Sequence, residues 1–523
     1  MKLNYKRTIL VGFAFFLICA FWQAYDNTVP LILTNKFGMS QTWSGVIMAM
    51  DNVLALFLLP LFGHISDKCT HPRGRRTPFI VVGTLIAAVA LIALSFADNA
   101  QLKRLDKVSA IDDPAALTVI YNEQKDATLL SPSGESFILG HKFTEAEFTA
   151  IRSQTVNDEG KTVTDPAYTN YVVPARQACA RDAAAANPGA LVVFVGLLLI
   201  ILLSMATFRS PAVALMPDVT PKPLRSRGNA IINLMGAVGG VFTLLLIKVA
   251  VVRTELPDGT VASDYTYLFV GVAALMVVCA FVLWRTVNER ACVAEMEAMN
   301  YGVDPSEETV TTTDADGKKK LHPAALRSLI FILCSVAFWF MGYNAVTSAF
   351  SKYATTVWGV SEGAAANCLL VATVGAIVSY WPVGQLSSKI GRKKMILCGV
   401  TLLAACFLVS GLMKEMTALM YVGFALVGLA WASINVNSFP MVVELAQGAD
   451  TGKYTGYYYT FSMAAQTLTP ILSGYLLEHV GYHTLFPYAA GMVALSFVTM
   501  CFVHHGDSKP APKKGLEALD VDD

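Results

Sequence analysis

Gly63-His-Ile-Ser-Asp67-Lys-Cys-Thr-His-Pro-Arg73-Gly74-Arg75-Arg76 is a short polar link between two apolar runs, Trp43–Phe62 and Pro78–Phe96. Each run has the length, about 20 residues, that spans a bilayer core of roughly 30 Å. Lys68, Arg73, Arg75 and Arg76 crowd the link. Basic short links stay on the cytoplasmic side of a membrane, which predicts the orientation of the whole chain. A second basic turn, Gly384-Gln-Leu-Ser-Ser388-Lys-Ile-Gly391-Arg392-Lys393-Lys394, follows about 320 residues later. It too joins two apolar runs, so the chain reads as two related membrane halves.

Composition agrees. The 523 residues are 54% hydrophobic and only 15% charged, with a mean hydropathy of +0.52. That is too apolar for a water-soluble chain of this length. A net charge of +1 gives no reason to expect nucleic acid as a partner, because the basic residues sit in short links. Of the ten cysteines, Cys179 alone falls in an expected outer segment, so no disulfide framework is implied. The eight histidines are scattered and show no metal-ligand spacing. No nucleotide-binding pattern is present, and no cofactor and no enzymatic reaction are expected.

The apolar runs predict an all-α polytopic membrane protein with twelve transmembrane helices in two six-helix halves. The spans read as 8–34, 42–64, 78–97, 189–216, 228–252, 265–286, 326–350, 361–386, 395–413, 417–440, 455–477 and 483–505. The first run follows Lys2, Lys6 and Arg7, and is too long and lacks the small-residue cleavage site of a signal peptide. Residues 1–97 and 189–286 form the expected first half and 326–505 the second. Residues 98–188 form an outer insertion, for which a small folded cap and a loose loop are both open. Residues 287–325 are a polar linker, with an amphipathic helix expected over Asn288–Tyr301, and 506–523 a charged, disordered tail. Both termini are expected in the cytoplasm of a multi-pass cell-membrane protein.

Gly-x-x-x-Asp followed by Gly-Arg-Arg resembles the loop signature of the major facilitator superfamily. The second copy has its glycines, Gly384 and Gly391, seven apart, the spacing usual in that family. In the first copy they lie eleven apart, Gly63 to Gly74, in the form Ser66-Asp67-x-Cys69-Thr70-x-x-x-Gly74-Arg75-Arg76-x-Pro78-Phe79. That longer form resembles the sucrose-transporter-like branch and the glycoside–pentoside–hexuronide:cation symporters. The resemblance implies the major facilitator fold and proton-coupled uptake of a sugar, a disaccharide or glycoside. The chain departs from the cation symporters at Ala55, Leu59 and Arg209, where those carry acidic residues. A proton is therefore the expected coupling ion rather than sodium.

A charge inside a spanning helix is a functional hypothesis by default. Asp26, Asp51 and Arg209 stand out. Asp26 follows Trp22 by one helical turn, with Gln23 beside them. Asp51 lies about nine residues into its span, roughly 13 Å deep. These two carboxylates are candidates for sharing a transported proton; the competing reading places them at the water interface or as helix caps. Arg209 can grip solute hydroxyls or pair an aspartate with its rigid fork of donors. Snorkelling, or locking the Asp67 loop, is its other reading. Solute-binding candidates are Trp22, Gln23, Asn233, Tyr343, Asn344, Trp431, Asn437, Tyr459 and Gln466, since amides match hydroxyls and aromatic faces stack on sugar C–H surfaces. Helix–helix contact is the alternative for each. Gly63, Asp67, Gly74, Arg75 and Arg76, with Gly391, Arg392 and Lys393, read as gating residues. The expected partners are a small solute, a proton and lipid, with a monomeric chain. The rival functions are movement of an amphipathic or lipid-like solute, and a non-transporting receptor that binds through 98–188.

Overall fold

The structure, a computed structural model, describes residues 3–131, 135–156, 162–250, 264–300, 311–313, 319–358, 362–446 and 450–507. Its long helices are α1 (Tyr5–Asn35), α2 (Gln41–Asp67), α3 (Thr77–Arg104), α4 (Pro188–Asp218), α5 (Arg225–Ala250) and α6 (Thr266–Thr286) in the first half. The second half has α7 (Pro323–Trp358), α8 (Glu362–Ile390), α9 (Arg392–Leu412), α10 (Ala418–Glu444), α11 (Thr451–His479) and α12 (Leu485–Cys501). Among the described residues, eleven of these, all except α11, are long and apolar enough to cross a membrane. With 29 residues, α11 has the length to cross as well. Its sequence is richer in hydroxyl and amide side chains, Thr455, Thr469 and Ser473 among them. Each of these hydroxyls donates to the carbonyl one turn back, at 2.6–2.7 Å, which satisfies it without water.

Close helix pairs define the architecture, and glycine makes them. In the first half, α1 packs on α5 at Gly239, where a Cβ would lie 2.3 Å from the Phe16 carbonyl oxygen. In the second half, α8 packs on α10 at Gly428, where a Cβ would meet the Ala372 carbonyl oxygen at 2.1 Å. Two further pairs join the halves. α2 meets α11, with a Gly63 Cβ position 2.2 Å from the Gly452 oxygen, and α5 meets α8, with a Gly384 Cβ position 2.6 Å from Ala230 Cβ. Small residues let backbones approach where lipid offers no hydrophobic drive.

The described part of the insertion is folded. Pro114–Gln124 and Val173–Ala186 are its longer helices, and Thr128–Leu130 pairs antiparallel with Ser136–Ile138. Leu117, Ile120, Phe137, Phe148 and Tyr168 close an apolar core separate from that of the membrane helices. The unit is seated on the first half. Gly38, at φ 60°, turns the chain where any side chain would strike the Gln177 carbonyl oxygen, 2.3 Å from a Cβ. Gln177 donates to Asn35 Oδ1 at 2.9 Å. Beneath it, Lys36 and Asp98 form an ion pair at 2.7 Å with both side chains 1% exposed.

The linker helix spans Glu289–Asn300; Tyr301, expected at its end, lies outside the described residues, as does 508–523 of the tail. Glu289 is buried and accepts hydrogen bonds from the backbone N–H groups of Arg75, Arg76 and Thr77 at 2.8–2.9 Å. A carboxylate there satisfies the orphan donors at the start of α3.

Candidate functional site

Two regions gather the polar side chains of the membrane domain: a cavity, and the face that carries the basic loops.

The cavity measures about 420 Å³ and is walled by α1, α2, α4 and α11. Trp22 and Asp26 reach it from α1, Met48, Asp51 and Asn52 from α2, Arg209 from α4, and Met463 and Gln466 from α11. Helical spacing explains the grouping: Trp22 and Asp26 are four apart, Met48 and Asp51 three apart, so each pair shares a helix face. Asp51 lies ten residues from the start of α2 and Asp26 nine from the end of α1. Both therefore lie about 15 Å from the helix ends opposite the basic loops. Arg209 stands between two aromatic rings, its guanidinium carbon 5.4 Å from the Trp22 centroid and 5.1 Å from that of Tyr459. Tyr459 belongs to the other half, so this cation–π contact crosses the interface. Trp22 Nε1 is a buried donor with no protein acceptor among the described residues.

The other solute-binding candidates lie elsewhere. Asn437 is completely buried within α10, and its amide nitrogen donates to the Ser433 carbonyl at 2.8 Å. Asn233 donates to the Asn229 carbonyl at 2.8 Å. Tyr343 and Trp431 stack face to face, centroids 3.8 Å apart and planes at 9°. Gln23 and Asn344 also stand off the cavity wall. Tyr343 and Trp431 thus meet across α7 and α10, while Asn233 and Asn437 bond within their own helices.

At the basic-loop face the two halves are locked together. Arg76 is fully buried; it pairs with Asp218 at 2.8 Å and with Asp67, and donates to Ser66 Oγ. Burial works against its charge, but Asp218 and Asp67 overcome this and hold the guanidinium above its ordinary pKa. Arg75 adds a pair to Asp218 at 2.9 Å. Gly74, at φ 122°, supplies the backbone turn between them. Asp67 also accepts from the backbone N–H groups of Gly452 and Lys453, both at 2.8 Å, at the start of α11.

The second loop builds a related lock. Gly391 turns at φ 98°. Arg392 pairs with Glu444 at 3.0 Å, donates to Ser226 Oγ at 3.0 Å and also bonds the Lys222 carbonyl. Glu444 pairs in turn with Arg225 of the first half at 3.2 Å. Arg227 reaches across to Ser388 Oγ at 2.7 Å. Lys393 closes onto the Val503 carbonyl at 2.7 Å. Asp218, Glu289, Arg225 and Glu444 were not among the sequence candidates. The signal for two of them was present: α4 ends on Asp218 and α10 on Glu444, an acidic residue at the corresponding end of each half.

Comparison with known proteins places this arrangement. Residues 332–520 match the Major Facilitator Superfamily model, and residues 11–102 match a model described as MFS/sugar transport protein. The chain is 28% identical over 184 residues to the chloramphenicol resistance protein CraA of Acinetobacter baumannii, 34% of this chain and 44% of that protein. It is 37% identical over 62 residues to the sucrose transport protein SUC4 of Arabidopsis thaliana, 12% of each chain. These matches thus span under half the length of either relative. Among solved structures, FucP in the outward conformation superposes with a TM-score of 0.60 at 14% identity, covering 95% of this chain and 98% of that one. The proton:xylose symporter XylE superposes with a TM-score of 0.59 at 14% identity, covering 98% of each. Two separate stretches of the chain thus match major facilitator models, and the chain as a whole shares the all-α fold of these solved major facilitator transporters.

Proposed function

We propose that this protein is a secondary active transporter that carries a sugar, of disaccharide or glycoside size, together with a proton. One observation carries the reading. Asp26, Asp51 and Arg209 share a 420 Å³ cavity, while the face with the basic loops is shut by paired locks between the halves. The volume lies in the range of small-molecule sites. Asp51 takes up the proton from the open side, and Asp26 tunes it or holds the solute. Trp22 offers a stacking face and a free indole N–H. When the halves rock, the Arg209–Tyr459 contact parts, and the guanidinium becomes available to whichever carboxylate has lost its proton. The Lys and Arg distribution supports the basic-loop face and both termini lying in the cytoplasm of the cell membrane. The first half, 1–97 with 189–286, and the second, 326–505, act as the two moving bodies of a monomer, with 98–188 carried on the first.

A second reading has support of its own: Met48 and Met463 share the cavity wall, and one relative is a chloramphenicol resistance protein. An amphipathic solute would suit that wall. Uptake of a panel of radiolabelled sugars by purified protein in liposomes, with and without a pH gradient, tests the proposal. Accumulation of a sugar only under an inward proton gradient is expected. Accumulation of none, with uptake of amphipathic compounds, would favour the second reading.

A further inference from the structure

A second cavity, about 150 Å³, lies inside the C-terminal half and shares no residue with the first. α7 contributes Tyr343, Val346 and Thr347, and α8 contributes Leu369, Ala372 and Thr373. Phe407 of α9, with Phe424 and Val427 of α10, completes the wall. Val346, Ala372 and the three α9 and α10 residues are buried, whereas Thr347 is half-buried and Thr373 exposed. The way in therefore runs between α7 and α8, past the two threonines.

The chemistry of the wall selects the guest. Thr373 donates to the Leu369 carbonyl at 3.0 Å and Thr347 to that of Asn344 at 3.4 Å. Both threonine donors are used within their own helices, and the rest of the wall, the Tyr343 hydroxyl apart, is alkyl and aromatic. A sugar ring would lose its hydrogen bonds on entry. An apolar cavity of about 150 Å³ stays dry and accepts a benzene-sized molecule. The space also follows from the packing. Gly428 brings α10 against α8, with a Cβ position 2.1 Å from the Ala372 carbonyl oxygen. α7 borders the space, and its Tyr343 ring lies flat against Trp431.

We infer that this cavity is a binding site for one compact hydrocarbon group, an aromatic ring or a short branched alkyl, held between α7, α8, α9 and α10. Tyr343 is both its wall and the partner of Trp431, and Phe340 meets the same indole edge-on at 5.2 Å. A guest fixes the Tyr343 ring and, through it, the packing of α7 on α10. The site rests on the geometry of one half alone and is independent of what the central cavity carries.

The probes are xenon and iodobenzene, both visible by anomalous scattering in crystals of the full-length protein. Each is expected to give a peak between Phe407, Phe424 and Val427. Val427→Phe, which fills the cavity from α10, and Val346→Phe, which fills it from α7, are each expected to abolish that peak. Thermal unfolding in detergent supplies the second readout: iodobenzene should raise the midpoint of the native protein and leave that of a filled variant unchanged. No peak at this position in the native protein, or a peak and a midpoint shift that persist in a folded filled variant, would overturn the inference. Neither readout depends on transport, so its failure leaves the sugar reading untouched, and the reverse holds as well.

Discussion

Asp67 Oδ1 accepts a hydrogen bond from the backbone N–H of Gly452 at 2.8 Å, although the two residues belong to different halves and lie 385 positions apart. The same carboxylate pairs with Arg76 inside its own half. A negative charge on the N-terminus of a helix stabilises it by about 0.3–2 kcal/mol. That energy exists only while the basic-loop face is shut.

Asp67→Asn is therefore expected to loosen the closed face. It keeps an acceptor for the Gly452 N–H and removes the charge that serves both α11 and Arg76. A loss of about 1.4 kcal/mol would shift the balance between the two orientations roughly tenfold. Transport should slow while equilibrium solute binding in detergent stays nearly intact, because Asp67 lies outside the cavity. A large drop in binding by a well-folded variant would count against the latch.

Gly63→Leu should act more strongly at the same place. A Cβ at Gly63 already falls 2.2 Å from the Gly452 carbonyl oxygen, and a leucine cannot be accommodated without parting α2 from α11. A cysteine introduced at Ser66, which is fully buried here, should then react with a membrane-impermeant thiol reagent at least about tenfold faster from the basic-loop side. An unchanged labelling rate would show that this contact is not the gate.

Asp51→Asn tests coupling. A fixed neutral amide cannot take up and release a proton, so uphill, pH-driven accumulation should be abolished. Exchange with equal sugar on both sides should persist, since the cavity keeps its shape. Asp26→Asn is expected to do less. Retained accumulation under a proton gradient in Asp51→Asn would remove this residue from the coupling role.

Lys36→Met should cost stability rather than transport. It strands Asp98 uncompensated at a site where both partners are 1% exposed. Breaking one side of a buried pair costs about 3–5 kcal/mol. Lys36→Met with Asp98→Leu should recover most of the loss, because apolar replacement of both partners avoids the stranded charge. The melting temperature in detergent distinguishes the two.

Replacing residues 106–186 with a short flexible linker is expected to leave uptake largely in place. The unit has its own apolar core, and the cavity and both locks lie outside it. The loss of the Gln177–Asn35 bond should appear as a lower melting temperature. A well-inserted deletion protein that carries no solute would give the insertion a direct role.

Much of this protein is legible in its linear sequence because a bilayer imposes a one-dimensional rule. Twenty apolar residues cross, and basic links stay on one side. Thus the runs flanking Gly63–Arg76 and Gly384–Lys394 located their helices, and α11 was found despite its hydroxyls. Asp26, Asp51 and Arg209 were legible for the same reason, as charges that lipid cannot hold, and the fold brings all three to one cavity. Helix azimuth and long-range pairing were not. Tyr343, Trp431 and Asn437 were singled out by residue type alone; only the fold shows that the first two stack on each other and that the third bonds within α10. Asp218 meets Arg76 across 142 positions, and Glu444 joins Arg225 to Arg392 from opposite halves. Hydropathy records what each residue loses on leaving water. Which neighbour it then faces depends on how the helices pack, and glycines such as Gly63 and Gly428, where backbones touch, decide that only in three dimensions.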